Sequence, residues 1–261
     1  MPSSNAPPVY TVNCKRIYGA SMTLKGRNAL VTGAGRRLGR AFAEGLAAEG
    51  VNLIVHYGLS TVGAAEVVRT AESHGVQAVP LQADLNEPAS VTSLFEEGVK
   101  ALGGLDILIN NAAIFEPVDL AHTTLDVWNR HISINLTAPF LLSQAFVKQG
   151  IKGDIINLLD WRALRPGADH FAYTIAKAGL AAMTRSVAID AAPDVRVIGL
   201  ALGAILPPPG SDSHDDSIIQ DVPAARWGSP EEAWDALKML LISPGYITGE
   251  ILHLDGGRHL V

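Results

Sequence analysis

The chain has 261 residues, 48% of them apolar, and a net charge of -6. That length holds one α/β domain with a large core, and so mild an acidity offers no basic face for nucleic acid. Cys14 is the only cysteine, which excludes an internal disulfide and a thiolate metal cluster. Residues 1–22 are polar and proline-bearing, lack the apolar core of a signal peptide, and read as an extension ahead of a single domain over 23–261. With no apolar run long enough to cross a bilayer, a soluble, cytoplasmic protein without membrane partners is expected.

The apolar run from Asn28 to Thr32 predicts a first strand. A glycine turn follows, Thr32-Gly33-Ala34-Gly35-Arg36-Arg37-Leu38-Gly39, and then a helix with Leu38, Phe42 and Leu46 at helical spacing. Further strands are expected at Val51–His56, Val76–Leu81, Leu105–Ile109, Gly153–Leu158, Val195–Leu200 and Glu250–Leu254. Helices are expected at Thr61–Ser73, Pro88–Leu102, Thr124–Gln149 with a break at Pro139, His170–Ala191 and Pro230–Ile242. Strands that alternate with helices and are apolar throughout predict a doubly wound parallel sheet of seven strands with helices on both faces. Ligands of such sheets bind at the carboxyl ends of the strands. The stretches after the strands, at 32–40, 56–60, 84–85, 110–115, 160 and 203–221, therefore converge on one edge.

A glycine turn that leads from a strand into a helix lets backbone approach a pyrophosphate, which the free N–H groups and positive dipole end of the helix attract. Arg36 and Arg37, inside the turn, suit a cofactor with an additional phosphate. In Tyr173-Thr174-Ile175-Ala176-Lys177 the phenol and the ammonium share one helix face. A neighbouring positive charge is expected to lower the tyrosine pKa from about 10 and make it a usable proton donor. His214-Asp215-Asp216 reads as part of a polar lid over 207–216, and no metal is expected.

With these motifs, and with Asp84-Leu85, Asn110-Asn111-Ala112-Ala113, Asn135 and Asp255-Gly256-Gly257, the chain from about Leu24 onward resembles the short-chain dehydrogenase/reductase family. The resemblance implies a single-domain Rossmann fold and an oxidoreductase that uses NAD(P)(H). It implies that Tyr173 is the acid/base, that Lys177 binds the nicotinamide ribose and tunes Tyr173, and that Asn135 holds a water on the proton path. It places Asp84 near the adenine, and Asn111 and Ala112 along the adenosine-side ribose. Gly33, Leu38, Gly39, Leu85, Ala113 and Gly203 are the further cofactor positions it implies.

Two departures narrow the reading. Arg37 replaces the middle glycine of the turn, and Asp160 replaces the serine usually found thirteen residues before the tyrosine. The chain resembles pteridine reductases in both, in His56-Tyr57 after the second strand, and in Phe115, which in that branch stacks on the pterin. A serine hydroxyl suits a ketone; an ionised aspartate repels an alkoxide but can orient the tyrosine or pair with heterocycle N–H groups. No acid follows the second strand to accept from ribose hydroxyls, whereas Arg36, Arg37, His56, Tyr57 and Ser60 line that position. The expected activity is NADPH-dependent reduction of a pterin-like C=N bond, with Phe115, Asp160, Tyr173 and Leu206 on the substrate. The alternatives are an NADP(H)-dependent carbonyl reductase of a small ketone, sugar or acyl thioester, and an NADPH-binding protein without turnover. Trp161 and Trp227 either line the pocket or pack. Small residues on helix 170–191 suit either a homotetramer contact, as in relatives, or close packing on the helix's own sheet.

Overall fold

The computed structural model describes residues 23–207 and 216–261. The expected extension, with Cys14, and the lid residues around His214 and Asp215 lie outside them. The strands are β1 (Asn28–Val31), β2 (Asn52–Tyr57), β3 (Ala78–Gln82), β4 (Ile107–Asn110), β5 (Gly153–Asp160), β6 (Val195–Leu202) and β7 (Ile251–Leu254). All pair in parallel, in the order β3-β2-β1-β4-β5-β6-β7. The order reverses between β1 and β4, the crevice where doubly wound sheets bind ligands. Pro80 costs β3 one ladder donor, and β3 is an edge strand, where this is tolerated.

The helices are α1 (Arg37–Ala48), α2 (Thr61–Ser73), α3 (Pro88–Leu102), α4 (Leu125–Ile132), α5 (Ala138–Lys148), α6 (Phe171–Asp190) and α7 (Pro230–Ile242). They cover both faces, which is why the strands are apolar on both. Ala29 and Val31 pack with Phe42 and Leu46 of α1, Val67 of α2 and Leu237 of α7. Leu30, between them in sequence, packs on the other face with Leu94 of α3 and with Leu142 and Phe146 of α5. Each such side chain taken fully out of water contributes about 1.5–3 kcal/mol.

The helix expected over 124–149 is three pieces. A π-helical turn, Ser133–Thr137, joins α4 to α5. Pro139 has no N–H for the carbonyl four residues back, that of Asn135, so the ladder loosens ahead of the proline rather than at it. The turn puts the Asn135 side chain inside the protein, fully buried.

Two helical glycines let the layers meet. A Cβ on Gly39 would overlap the Gly33 carbonyl oxygen, and one on Gly63 would overlap that of Gly35. Gly63→Ala should therefore lower stability by about 1–3 kcal/mol, although alanine is the better helix former. Urea unfolding checks this; a stabilised variant would show that the α2 contact is slack.

Candidate active site

The turn after β1 is braced from both neighbouring strands. Thr32 Oγ1 accepts from the N–H groups of Asn111 and Ala112, both at 2.9 Å, and the Asn111 side chain donates to Thr32 O at 2.8 Å. From β2, His56 Nδ1 accepts from Gly33 N–H at 3.0 Å while its Nε2 reaches Ala83 O at 3.2 Å. This fixes the tautomer with the proton on Nε2. Burial lowers the His56 pKa to about 4, opposed by the Ala83 carbonyl. His56, placed in sequence among the cofactor positions at the end of β2, is thus a neutral brace with both ring nitrogens taken.

Gly33 has φ +66° and Arg37 φ +53°; the second is unusual for a residue with a side chain. The Arg37 guanidinium donates to Pro207 O at 2.7 Å, tying the turn to the segment after β6. Arg36 is exposed and extended at the head of α1, which has no side-chain cap and no acid in its first turn. Those first N–H groups and both arginines make an anion-attracting corner. Ser60 Oγ lies 3.3 Å from Gly35 O, and Tyr57 packs against the core. Asp84 is exposed and accepts from Asn86 N–H at 2.9 Å. Ala113 is exposed, and Gly203 N–H bonds Leu254 O. At three further expected contact positions the side chain packs in the core. The Leu85 side chain is buried beside α3, and Leu38 and Leu206 pack against the α1–α7 core. In each case an apolar side chain gains more from the core than from the sheet edge.

At the end of β5, one Asp160 oxygen accepts from Arg162 N–H at 2.8 Å and caps a short turn, Trp161–Ala163. The other accepts from Tyr173 Oη at 3.2 Å. Asp160 is therefore both a cap and the tyrosine's partner. Lys177 Nζ donates to Leu158 O at 2.6 Å and stands 5.9 Å from the Tyr173 ring centroid. The phenol pKa is raised well above its ordinary value, by burial and then by Asp160, contrary to the lowering expected from Lys177. The carboxylate is in contact and the ammonium is not. Burial also raises Asp160, against Arg162 and Lys177, and lowers Lys177 to about 8, against Asp160. Asn135 uses both ends of its amide on Ile114, accepting from its N–H at 2.9 Å and donating to its carbonyl at 3.0 Å. It clamps the loop that carries Phe115.

Phe115 reaches this group and meets the Tyr173 ring edge-on at 4.7 Å. One face is covered by His170, stacked at 3.9 Å and 13°. His170 pairs with Asp169 at 2.8 Å, Asp169 pairs with Arg162 at 3.0 Å, and the Arg162 guanidinium lies 3.8 Å from Asp160 and 5.7 Å from the Phe115 centroid. Arg162, Asp169 and His170 were not singled out in the sequence. His170 precedes Tyr173 by three residues and Arg162 follows Asp160 by two, so proximity to the expected pair was the available signal. Trp161 sits between Arg162 and Arg258, at 4.7 and 5.1 Å, and borders a recess of about 300 Å³.

A buried tyrosine and lysine one helical turn apart, facing a glycine turn across the strand crossover, match one family. Its model, described as short chain dehydrogenase, aligns with residues 27–216. The chain belongs to the short chain dehydrogenase family of oxidoreductases. It is 34% identical to a 3-oxoacyl-[acyl-carrier-protein] reductase of Synechocystis sp., covering 88% of this chain and 95% of that one. Among solved structures it is similar to the FolM alternative dihydrofolate reductase 1 from Brucella canis complexed with NADP. There the TM-score is 0.85 and the identity 27%, over 93% of this chain and 97% of the other. It is also similar to a blue fluorescent protein from a metagenomic library in complex with NADPH. That match has a TM-score of 0.85 and 31% identity, over 90% of this chain and 99% of the other. No described helix of this short chain dehydrogenase is long and apolar enough to cross a membrane.

The His56 brace makes a prediction. Its pKa is about 4 when folded and about 6.5 when unfolded, so the unfolded chain binds the extra proton between these values. Its stabilisation is complete above the unfolded value and is lost as pH falls toward the folded one, by up to about 3 kcal/mol. His56→Asn should remove most of this loss. Urea unfolding at neutral pH and near the folded pKa tests it: equal acid losses in both proteins would show that His56 is not buried neutral.

Proposed function

We propose that the protein is an NADPH-dependent reductase of a pterin or a related heterocycle, adding hydride to the carbon and a proton to the nitrogen of a C=N bond. The observation that carries this reading is the Asp160 carboxylate on Tyr173 Oη, with Phe115 beside it. An ionised carboxylate would repel the alkoxide formed in carbonyl reduction, but it tolerates a nitrogen that gains a proton and can accept from heterocycle N–H groups. The Brucella canis relative, named an alternative dihydrofolate reductase, supports the substrate class.

The residues after β1 fit the cofactor. Gly39 leaves no side chain between α1 and the turn, the head of α1 lacks a side-chain cap, and Arg36 and Arg37 suit a 2′-phosphate. The two relatives solved with NADP and NADPH support this. Gly33, Leu38, Ser60, Asn111, Ala112, Ala113 and Gly203 would contribute backbone or short side chains, Asp84 would face the adenine and Lys177 the nicotinamide ribose. When bound, NADPH supplies the hydride. Tyr173, whose high pKa keeps it protonated at neutral pH, gives its proton to the substrate nitrogen. Asp160, made more basic by burial, orients the phenol and in its protonated form returns a proton to the phenolate. The charge of Lys177 opposes the negative charge left on Tyr173. The exposed Phe115 ring would hold the planar substrate by stacking.

A second reading, reduction of a ketone or acyl thioester, is favoured by the Synechocystis relative, named a 3-oxoacyl reductase. The proposed assembly is a homotetramer. Ala172, Ala176 and Ala181 of α6 are buried within the chain and Gly179 abuts Leu136. The face left for a partner is the exposed one, with Ile175, Ala182 and Ile189.

Stopped-flow oxidation of NADPH with dihydrobiopterin or dihydrofolate tests the substrate. Turnover is expected, and Tyr173→Phe should lower the rate by about 10²–10⁴ while retaining cofactor. Absence of turnover with any pterin, together with a ketone rate that rises in Asp160→Ser, would favour the second reading. Full activity of Tyr173→Phe would remove the proton donor assigned here.

A further inference from the structure

At the far edge of the sheet from β3, the end of β7 gathers three side chains that the reaction does not use. His253 lies on β7 and Asp255 in the bend that follows it, and their side chains come within 3.7 Å. Gly256 and Gly257, at φ +62° and +87°, turn the chain back. The short helix Arg258–Leu260 then lays His259 over Asp255. One ligating atom from each of the three lies within 4.8 Å of the others.

The donor set has the spacing and the polarity of a cation site. Asp255 Oδ2 is 2.8 Å from His259 Nδ1 and 3.7 Å from His253 Nδ1. These values bracket the roughly 3.3 Å edge of a tetrahedron whose metal–ligand bonds are about 2.0–2.1 Å. The Asp255 side chain is only 2% exposed, and among the described residues no lysine or arginine pairs with it. Its oxygens accept from the N–H groups of Gly257 and His259, which fix their position. His253 Nδ1 is buried and has no hydrogen-bond partner among the described residues. The Asp255 carboxylate has His259 Nδ1 and two backbone N–H groups as its partners, whereas the buried His253 nitrogen, too far from the carboxylate to bond it, is left without one among the described residues. The two rings stack at 3.9 Å and 23°, so His259, the more exposed, must turn to aim its lone pair.

We propose that His253, Asp255 and His259 bind one divalent transition ion of the zinc class, with a fourth position open to water. Two imidazoles and one carboxylate select zinc, cobalt or nickel over magnesium and calcium, which prefer all-oxygen sites. On binding, the ion takes the place of the proton that His259 Nδ1 shares with Asp255, and that proton moves to Nε2. The ion joins the end of β7 to the C-terminal turn and is independent of the reductase reading.

The test uses the full chain stripped with EDTA and titrated with zinc chloride by calorimetry, then with cobalt chloride followed by visible absorption. One equivalent per chain is expected, with an intense tetrahedral cobalt spectrum, no response to magnesium, and a higher melting temperature with zinc. His253→Gln and His259→Gln should each weaken binding at least ten-fold, while His122→Asn and His214→Gln bind as the parent. Nitrogen NMR of the parent's imidazoles guards against a variant that misfolds: one equivalent of zinc must shift the Nδ1 resonances of His253 and His259. Failure of the parent to bind, unchanged binding in His253→Gln, or loss in His214→Gln would overturn the proposal.

Discussion

Burying a carboxyl group against a phenol is the constraint on which the active end depends. Asp160 and Tyr173 cannot both be ionised at 3.2 Å in a dry site, so their protonation is coupled. The surroundings offset the carboxylate with Arg162 on one side and Lys177 on the other, neither in ideal ion-pair contact with it. Arg162 also pairs with Asp169, and Asp169 with His170, which lies on Phe115. The charge at the end of β5 and the aromatic surface after β4 are therefore one connected arrangement. A change at Arg162 would be felt at both.

The fold was legible because its signals were local and repeated. Apolar strands, helices opening with proline at Pro88 and Pro230, and glycine turns each stand alone in the sequence, and α2, α3 and α7 fall where spacing put them. The long region over 124–149 was harder. A proline marks a weak ladder, but whether the helix answers with a kink or a π turn depends on what its side chains bond, here the two ends of Ile114. The site was legible as a set of positions and less so as a set of roles. His56 reads as a cofactor position in sequence, but its ring nitrogens satisfy Gly33 and Ala83, partners set by strand pairing. The Tyr173–Lys177 spacing suggested a depressed phenol, whereas three-dimensional proximity gave that influence to Asp160.

The turn after β1 shows how much of a ligand site is spent on holding itself. Thr32, Asn111 and His56 use their polar groups on backbone, so what remains outward is the head of α1 and the two arginines. Arg37 adds a tie to Pro207, making the segment after β6 sensitive to events at the turn. Because the left-handed backbone at Arg37 is one that glycine adopts more easily, the charged side chain there carries a conformational cost, which its contacts offset.

The stack of His170 on Phe115 has a stereochemical consequence. A phenyl ring has two equivalent faces, and here one is closed by an imidazole held by Asp169. A planar guest of the kind proposed would have to use the other face, with the edge-on Tyr173 and its hydroxyl beside it. Flipping the guest over would exchange the edge offered to that hydroxyl. The covered face thus turns a symmetric aromatic surface into a handed one, and in the proposed reaction a prochiral carbon stacked there would be presented to its reaction partner from one side.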